Sequence, residues 1–327
     1  MLPHLTTALS VAGIALLVAA CSATPDPPAA GTRTPTAAAS TTKAAATPAA
    51  ATPAAASALH GSYVALGDSY TAGLGIPAQT GSTAGCGQST SSYPYLVARS
   101  LRLDLTDMSC SSATIPDLTS AQVTGQGTNP AQLSALSSGT ALVTVSIGGN
   151  DIGLIDIVTK CTELDLIPAL LPGRSSKLTP CEDFYTSGGT DQIRKRIQGV
   201  SGNLADTLTQ IRDRSPHARV YVVGYPDLLP AGGGGCGDAL DITASDIAFL
   251  NREEARLNGV LEQVARAAGD GYVDTYAPSE RHDACAAPAS RWLEPLLTSA
   301  RAAPLHPNAA GERGMADAVV RAVKSAG

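Results

Sequence analysis

The sequence predicts an α/β domain with a central parallel sheet, and two kinds of segment support that prediction. Short runs of apolar and β-branched residues recur along the chain, as expected of strands that are buried on both faces. Between them lie longer segments in which apolar residues repeat at three- and four-residue steps, a pattern typical of amphipathic helices. Because strands alternate with helices, the strands should run parallel, with helices on both faces of the sheet.

The candidate strands are the runs 62–66, 103–108, 141–147, 219–224 and 271–274. The runs 141–147 and 219–224 are apolar and β-branched, so we expect them near the centre of the sheet. Helical periodicity covers 191–214 and 245–268, and a last helix is expected over about 308–323. These elements fit a single large α/β domain.

The first residues are predicted to be an export signal. The segment from Leu5 to Ala20 is apolar or small throughout, and it is shorter than the roughly 20 residues that a membrane-crossing helix needs. Small residues precede Cys21, which resembles the lipobox of bacterial lipoproteins, so residues 1–21 are interpreted as a signal whose cysteine is lipidated. No Lys or Arg precedes the apolar run, which departs from the usual signal, and an ordinary cleaved signal is the alternative.

Residues 22–58 are almost wholly Ala, Thr, Pro and Ser, which bury too little apolar surface to offset the entropy lost on ordering. We therefore expect a flexible linker, followed by a folded domain over 59–327. The net charge is −6 and no basic stripe is present, which argues against a nucleic-acid partner.

Apart from Cys21, the chain has six cysteines: Cys86, Cys110, Cys161, Cys181, Cys236 and Cys285. An even number in an exported chain predicts three disulfides. Sequence leaves about 15 connectivities open, and the nearest-neighbour pairing, 86–110, 161–181 and 236–285, is the simplest. No C-x-x-C spacing or histidine cluster accompanies them, so no metal site is expected.

Ser69 is the strongest candidate for a reactive side chain. It follows the first strand directly after Gly67 and Asp68, where the pattern changes to a loop and a helix. A serine at the carboxyl end of a parallel strand points into the crevice where open α/β sheets bind ligands. It becomes a nucleophile if a base and an oxyanion site lie nearby. The alternative is an ordinary strand–turn–helix with Asp68 or Ser69 as the N-cap.

Four polar blocks follow predicted strands or precede the last helix: Gly67–Ser69, Ser109–Thr114, Gly148–Asp151 and His306–Asn308. Because the carboxyl ends of neighbouring strands meet at one crevice, the four blocks should lie together. In an acyl transfer Ser69 would attack a carbonyl carbon and His306 would act as the base. The oxyanion would be held by the N–H groups of Ser69 and Ser112 and by the side-chain amide of Asn150.

The motifs G-D-S, G-G-N-D and H-P-N, in this order, resemble those of the SGNH hydrolases, also called GDSL-type esterases and lipases. The resemblance spans residues 62 to about 320 and is closest to secreted actinobacterial members with three disulfides. It implies a flavodoxin-like three-layer sandwich that hydrolyses esters without metal or cofactor. It also implies Ser69 as nucleophile, His306 as base, and Ser69, Ser112 and Asn150 as the oxyanion hole.

The chain departs from the family at two positions. The family usually has glycine where this chain has Ser112, and aspartate three residues before the histidine, where this chain has Ala303. A base still needs its second ring nitrogen held. Some secreted relatives use a main-chain carbonyl, and we expect a carbonyl near Ala303 to orient His306, with Asp283 as the alternative partner.

Other polar residues have structural interpretations. Asp68 should cap or brace its loop, and Asp151 should cap the helix after Asn150. Trp292 either lines an acyl pocket or packs in the core. Three histidines are expected at the surface: His60, His217 and His282.

The leading prediction is therefore an exported monomeric esterase or lipase that acts on a small-molecule or lipid ester and is anchored to the membrane through Cys21. A carbohydrate acetyl esterase with the same Ser–His dyad is one alternative. A catalytically weak cell-surface binding domain on the same scaffold is the other, because Ser112 and Ala303 depart from the family.

Overall fold

The computed structural model describes residues 60–169, 178–231, 236, 240, 242–297 and 301–326. The predicted signal with Cys21 and the predicted linker over 22–58 lie outside the described residues.

The strands are β1 Ser62–Gly67, β2 Asp104–Asp107, β3 Gln122–Thr124, β4 Gly127–Asn129, β5 Thr140–Ser146, β6 Arg219–Val223 and β7 Gly271–Val273. Five of them form a sheet in the order β2-β1-β5-β6-β7, in which every neighbouring pair is parallel. Strands β3 and β4 form a separate antiparallel hairpin. The five predicted strands are confirmed to within one residue at each end, and β5 and β6 lie inside the sheet as expected.

The helices are α1 Ser69–Ala72, α2 Tyr93–Leu101, α3 Ile115–Thr119, α4 Gly149–Ile152, α5 Leu154–Ala169, α6 Pro180–Thr186, α7 Gln192–Arg214, α8 Ala244–Ala267, α9 Tyr276–Ser279 and α10 Ala309–Ser325. Single 3-10 turns occur at Gln132–Ala135 and Ser187–Gly189. The long helices begin where a side chain caps them: Asp191 accepts from the Arg194 N–H at α7, and Thr243 accepts from the Asp246 N–H at α8.

The helices cover both faces of the sheet. Alternate side chains of a strand point to opposite faces, and on β1 the apolar side chains of both faces are buried. On β1, Tyr63 and Ala65 pack with α2 and α10. Val64 and Leu66 pack in the larger core that contains the buried faces of α7 and α8. The result is a three-layer α/β/α arrangement, as predicted.

The strand order brings together the first and the third polar block, which contain Ser69 and Asn150. When the five sheet strands are numbered by their succession along the chain, they lie across the sheet in the order 2-1-3-4-5. The direction of the connections reverses between β1 and β5. Ligands bind in open α/β sheets at this switch point, beyond the carboxyl ends of the strands. Ser69 follows β1, and Asn150 follows β5.

The six described cysteines are joined as Cys86–Cys110, Cys161–Cys181 and Cys236–Cys285. This is the nearest-neighbour pairing. The Cys86–Cys110 bridge holds the start of the second polar block, and the Cys161–Cys181 bridge joins α5 to α6. Among the described helices, none is both long enough and apolar enough to cross a membrane.

Candidate active site

Ser69 lies at the first position of α1, two residues after the end of β1. Gly67 ends the strand with a φ of 149°, and a side chain there would collide with Thr71 and with the Ser146 carbonyl. Asp68 is the N-cap, and its Oδ1 accepts a hydrogen bond of 2.9 Å from the Tyr70 N–H. The predicted capping role of Asp68 is confirmed, and the sharp turn brings the Ser69 side chain to the switch point.

His306 lies in a loop that pairs with the segment Trp292–Glu294. The Glu294 N–H donates to the His306 carbonyl at 3.0 Å, and the Asn308 N–H donates to the Trp292 carbonyl at 2.7 Å. Asn308 then caps α10 by accepting from the N–H groups of Ala310 and Gly311. The imidazole therefore projects from a backbone that is fixed on both sides.

The structure brings the serine and the histidine into direct contact. Ser69 Oγ lies 2.7 Å from His306 Nε2. His306 Nδ1 lies 2.7 Å from the Pro304 carbonyl oxygen. Since a carbonyl can only accept, Nδ1 must carry the proton, and Nε2 of the neutral ring is then the acceptor that faces the serine hydroxyl.

Burial sets the protonation state of this pair. Ser69 is 5% exposed and His306 is 6% exposed. Burial lowers the pKa of His306 below 6.5, and the hydrogen bond to the Pro304 carbonyl opposes that shift. The imidazole is therefore neutral at pH 7, as a general base must be.

No carboxylate lies at the second nitrogen of His306 in the described residues. Ala303 stands where the family usually has aspartate, and its N–H donates to the Leu74 carbonyl. Nδ1 of His306 faces the Pro304 carbonyl, whereas Asp283 accepts from the Cys285 N–H at 2.8 Å, so the alternative of an Asp283–His306 pair is wrong. The carbonyl is that of Pro304, the residue after Ala303.

The candidate oxyanion donors lie on loops that are bonded to each other. The Cys110 N–H donates to the Gly67 carbonyl at 3.0 Å. Asn150 Nδ2 donates to the Ala113 carbonyl at 2.9 Å, which leaves its second hydrogen available. Within the described residues, the N–H groups of Ser69 and Ser112 have no acceptor. Such free N–H groups are the donors that an oxyanion requires.

Ser112 adopts the conformation that its glycine counterpart in the family would favour. Its φ is 62°, in the left-handed region, and its side chain is exposed. A side chain is therefore tolerated there because nothing crowds it.

Asp151 does not cap α4, so that prediction is wrong. The N-cap of α4 is Gly148, with no side-chain bond. Both carboxylate oxygens of Asp151 instead accept from the Ile115 N–H, at 3.2 and 3.1 Å. This bond ties the third polar block to the first turn of α3, directly after the Ser112 loop.

Two aromatic residues near the site were not identified from the sequence. The Tyr70 hydroxyl donates to the Leu305 carbonyl at 2.6 Å, and its ring centroid lies 4.9 Å from that of His306. Tyr225 bonds to Asp68 and to Gly149. Tyr70 follows Ser69 directly, which is the sequence signal that was available, whereas Tyr225 is distant along the chain.

Among the remaining histidines, His60 and His217 are exposed as predicted. His282 is partly exposed, and its ring stacks on that of Trp292 with 4.7 Å between the ring centroids. The Trp292 ring also lies against Gly314 of α10, where a side chain would collide with it. These contacts favour the packing interpretation of Trp292. Among the described residues, no group of His, Cys, Asp and Glu is arranged to hold a metal ion.

A parallel α/β sheet with a serine and a neutral histidine in contact at its switch point is the arrangement of a serine hydrolase. Residues 65–313 match the GDSL-like Lipase/Acylhydrolase family. The chain is 39% identical over 257 residues to Lipase 2 of Streptomyces coelicolor, a match that covers 78% of this chain and 83% of the relative.

Two solved structures are also similar. The crystal structure of phospholipase A1 from Streptomyces albidoflavus NA297 has a TM-score of 0.63 and 28% identity, covering 81% of this chain and 98% of that one. The extracellular lipase from Streptomyces rimosus has a TM-score of 0.63 and 29% identity, covering 81% and 99%. The chain belongs to the GDSL-like lipase and acylhydrolase family, and it is an ester hydrolase.

Proposed function

We propose that this protein is an exported serine esterase or lipase that hydrolyses carboxylic esters through an acyl-enzyme, with Ser69 and His306 as a catalytic dyad. The observation that carries the proposal is the 2.7 Å contact between Ser69 Oγ and His306 Nε2, combined with the 2.7 Å contact between Nδ1 and the Pro304 carbonyl. The second contact fixes the tautomer that the first one needs.

The reaction follows from the placement of these groups. His306 Nε2 takes the hydroxyl proton as Ser69 Oγ bonds to the ester carbonyl carbon, and a tetrahedral oxyanion forms. The N–H groups of Ser69 and Ser112 and the second hydrogen of Asn150 Nδ2 stabilise that oxyanion. The imidazolium returns the proton to the leaving alcohol, and the acyl group stays on Ser69. Water, deprotonated by the same nitrogen, then releases the acid.

The Pro304 carbonyl replaces the carboxylate of a triad in this mechanism. It accepts the Nδ1 proton and so orients the ring, but it carries only a partial charge to set against the imidazolium. We therefore expect turnover to be slower than that of a hydrolase with a full triad.

The proposal is tested with the full chain on a series of acyl nitrophenyl esters of increasing length, beside acetylated oligosaccharides. Turnover of the nitrophenyl esters, abolished in Ser69→Ala, is the expected result. Deacetylation of the oligosaccharides alone would replace the proposal with a carbohydrate esterase.

A serine-directed fluorophosphonate provides a second measurement that does not depend on the choice of ester. We expect one label, located on Ser69 by mass spectrometry of the digested protein. A folded protein that neither takes the label nor turns over any ester would be a binding domain instead.

Export and anchoring are also part of the proposal. The three disulfides suit an oxidising compartment, and the similar Streptomyces rimosus lipase is extracellular. We expect the protein in the membrane fraction and Cys21→Ser in the medium. Equal release of both proteins would indicate an ordinary cleaved signal.

A further inference from the structure

We propose that Tyr225 is a positioning residue that fixes the Asn150 turn relative to the Ser69 turn, so that the oxyanion donors face the serine. This inference rests on the proposed function and assigns a role to a residue outside the four polar blocks.

The Tyr225 hydroxyl bonds to two of those blocks at once. It donates to Asp68 Oδ2 at 2.5 Å and accepts from the Gly149 N–H at 2.8 Å. Since the Gly149 N–H can only donate, the tyrosine proton must point to the carboxylate. Asp68 directly precedes Ser69 and Gly149 directly precedes Asn150, so one hydroxyl group links the two turns.

The tyrosine itself is held firmly. Its N–H donates to Asn258 Oδ1 at 2.8 Å, and Asn258 Nδ2 donates back to its carbonyl at 2.9 Å. Its ring packs edge-to-face against Tyr70 at 5.1 Å, and Tyr70 in turn contacts the His306 loop. Tyr225 and Asp68 are each 1% exposed. Solvent therefore does not replace a bond that is lost here.

The close approach also explains a glycine of the third block. A Cβ on Gly149 would lie 2.9 Å from the Tyr225 oxygen and 3.0 and 3.1 Å from two of its ring carbons. The turn that carries Asn150 can therefore approach this hydroxyl only without a side chain.

Loss of the link should affect catalysis more than binding. A displacement of about 1 Å at a catalytic group costs on the order of 10²-fold in rate. Tyr225→Phe removes only the oxygen, and it leaves the Gly149 N–H and the Asp68 carboxylate without that partner. We expect kcat on a short acyl ester to fall about 10- to 100-fold, with KM changed less than about threefold.

Tyr63→Phe is the matched control. Tyr63 is also fully buried, and its hydroxyl bonds to Thr144 at 2.7 Å, but it lies on β1 within the layer that packs on α2 and α10. Tyr225→Phe loses two buried hydroxyl bonds and Tyr63→Phe loses one, so the melting temperature should fall in both variants and further in Tyr225→Phe. Tyr63→Phe should keep kcat within about threefold of the wild type, because its bond fixes no catalytic group.

A double variant separates positioning from general loss of structure. If Tyr225 acts through the Asn150 turn, Tyr225→Phe combined with Asn150→Ala should lose about as much kcat as Asn150→Ala alone. The inference would be overturned if the kcat loss of the double variant equalled the product of the two single losses. It would also be overturned if Tyr225→Phe and Tyr63→Phe had equal kcat values. In either case, wild-type turnover and labelling of Ser69 would still support the proposed function. If the wild-type protein shows no turnover, both the proposed function and the role of Tyr225 are refuted.

Discussion

Two residues of the candidate site, Leu305 and Ser112, have left-handed backbones although neither is glycine, with φ angles of 60° and 62°. Leu305 is completely buried, its N–H donates to the Glu294 carbonyl, and its carbonyl accepts from Tyr70. Ser112 has an exposed side chain, and within the described residues its N–H has no acceptor. The left-handed conformation costs about 1–2 kcal/mol at each residue. At Leu305 burial and two hydrogen bonds accompany it, whereas at Ser112 the side chain is exposed and the N–H is unpaired among the described residues.

The difference follows from what each residue supports. Leu305 lies between Pro304 and His306, and its backbone turn places the Pro304 carbonyl against the neighbouring imidazole at 2.7 Å. That position has to be fixed, and packing fixes it. At Ser112 the turn presents an N–H group without an acceptor among the described residues, and the proposed mechanism uses that group to hold the oxyanion. The strained backbone is therefore buried and packed beside the proposed base, and exposed at the proposed oxyanion site.

The largest expected effect tests the base side of this comparison. His306→Ala should lower kcat by more than about 10³-fold, because Ser69 then has no proton acceptor. His217→Ala, at an exposed histidine, is the control and should leave kcat unchanged. Steady-state hydrolysis of a nitrophenyl ester measures both. A His306→Ala protein with more than a tenth of wild-type activity would refute the dyad.

The next effect tests the oxyanion side. Asn150→Ala removes a donor and should lower kcat by roughly 10²- to 10³-fold with little change in KM. The melting temperature should stay close to that of the wild type, since the side chain is half-buried and, among the described residues, bonds only to the Ala113 carbonyl. A loss expressed mainly in KM would place Asn150 in substrate binding.

Leu305→Ala and Ser112→Ala compare the two strained positions directly. Leu305→Ala should lower the free energy of unfolding by about 2–5 kcal/mol, because it removes fully buried packing. Ser112→Ala should change it by less than about 0.5 kcal/mol, because the side chain is exposed. Urea denaturation monitored by circular dichroism measures both values. If the two variants lose equal free energy of unfolding, packing does not distinguish the Leu305 turn from the Ser112 turn.

The dependence of kcat/KM on pH tests the proposed role of His306 as the base. Only the neutral imidazole accepts the serine proton, and burial lowers the pKa of His306 below 6.5. Titration of His306 alone should therefore leave kcat/KM constant down to about pH 6.5 and lower it at more acidic pH. Burial also raises the pKa of Asp68 to about 7, so the same profile in Asp68→Asn isolates the histidine. An acid midpoint above 7 in that variant would contradict the assignment.

Ser112→Gly should have the smallest effect. Glycine relieves the left-handed strain but adds entropy to the unfolded chain, so stability should change by less than about 1 kcal/mol. The N–H is retained, and kcat should stay within about threefold of the wild type. A tenfold loss shared by Ser112→Gly and Ser112→Ala would show that the serine hydroxyl also contacts the substrate.

The elements of the fold were predictable because their signals are local. Short apolar and β-branched runs predicted the five sheet strands, and three- and four-residue periodicity predicted the helices α7, α8 and α10. All of these predictions agree with the structure to within two residues at each end. The polar blocks were also recognisable, since those of Ser69 and Asn150 begin within two residues of a strand end and Asn308 directly precedes a helix. The role of Asp151 was missed, because its partner Ile115 lies 36 residues away in sequence.

The sequence by itself determined the parallel α/β architecture and the three motifs of the site, because alternating periodicity and residues at strand ends are properties of neighbouring positions. The tertiary structure decided how the site is held. The Pro304 carbonyl reaches His306 through the left-handed turn at Leu305. Tyr225 lies just beyond β6 and joins two turns that follow other strands. Such contacts depend on packing between segments 76 to 235 residues apart, and no local pattern records them.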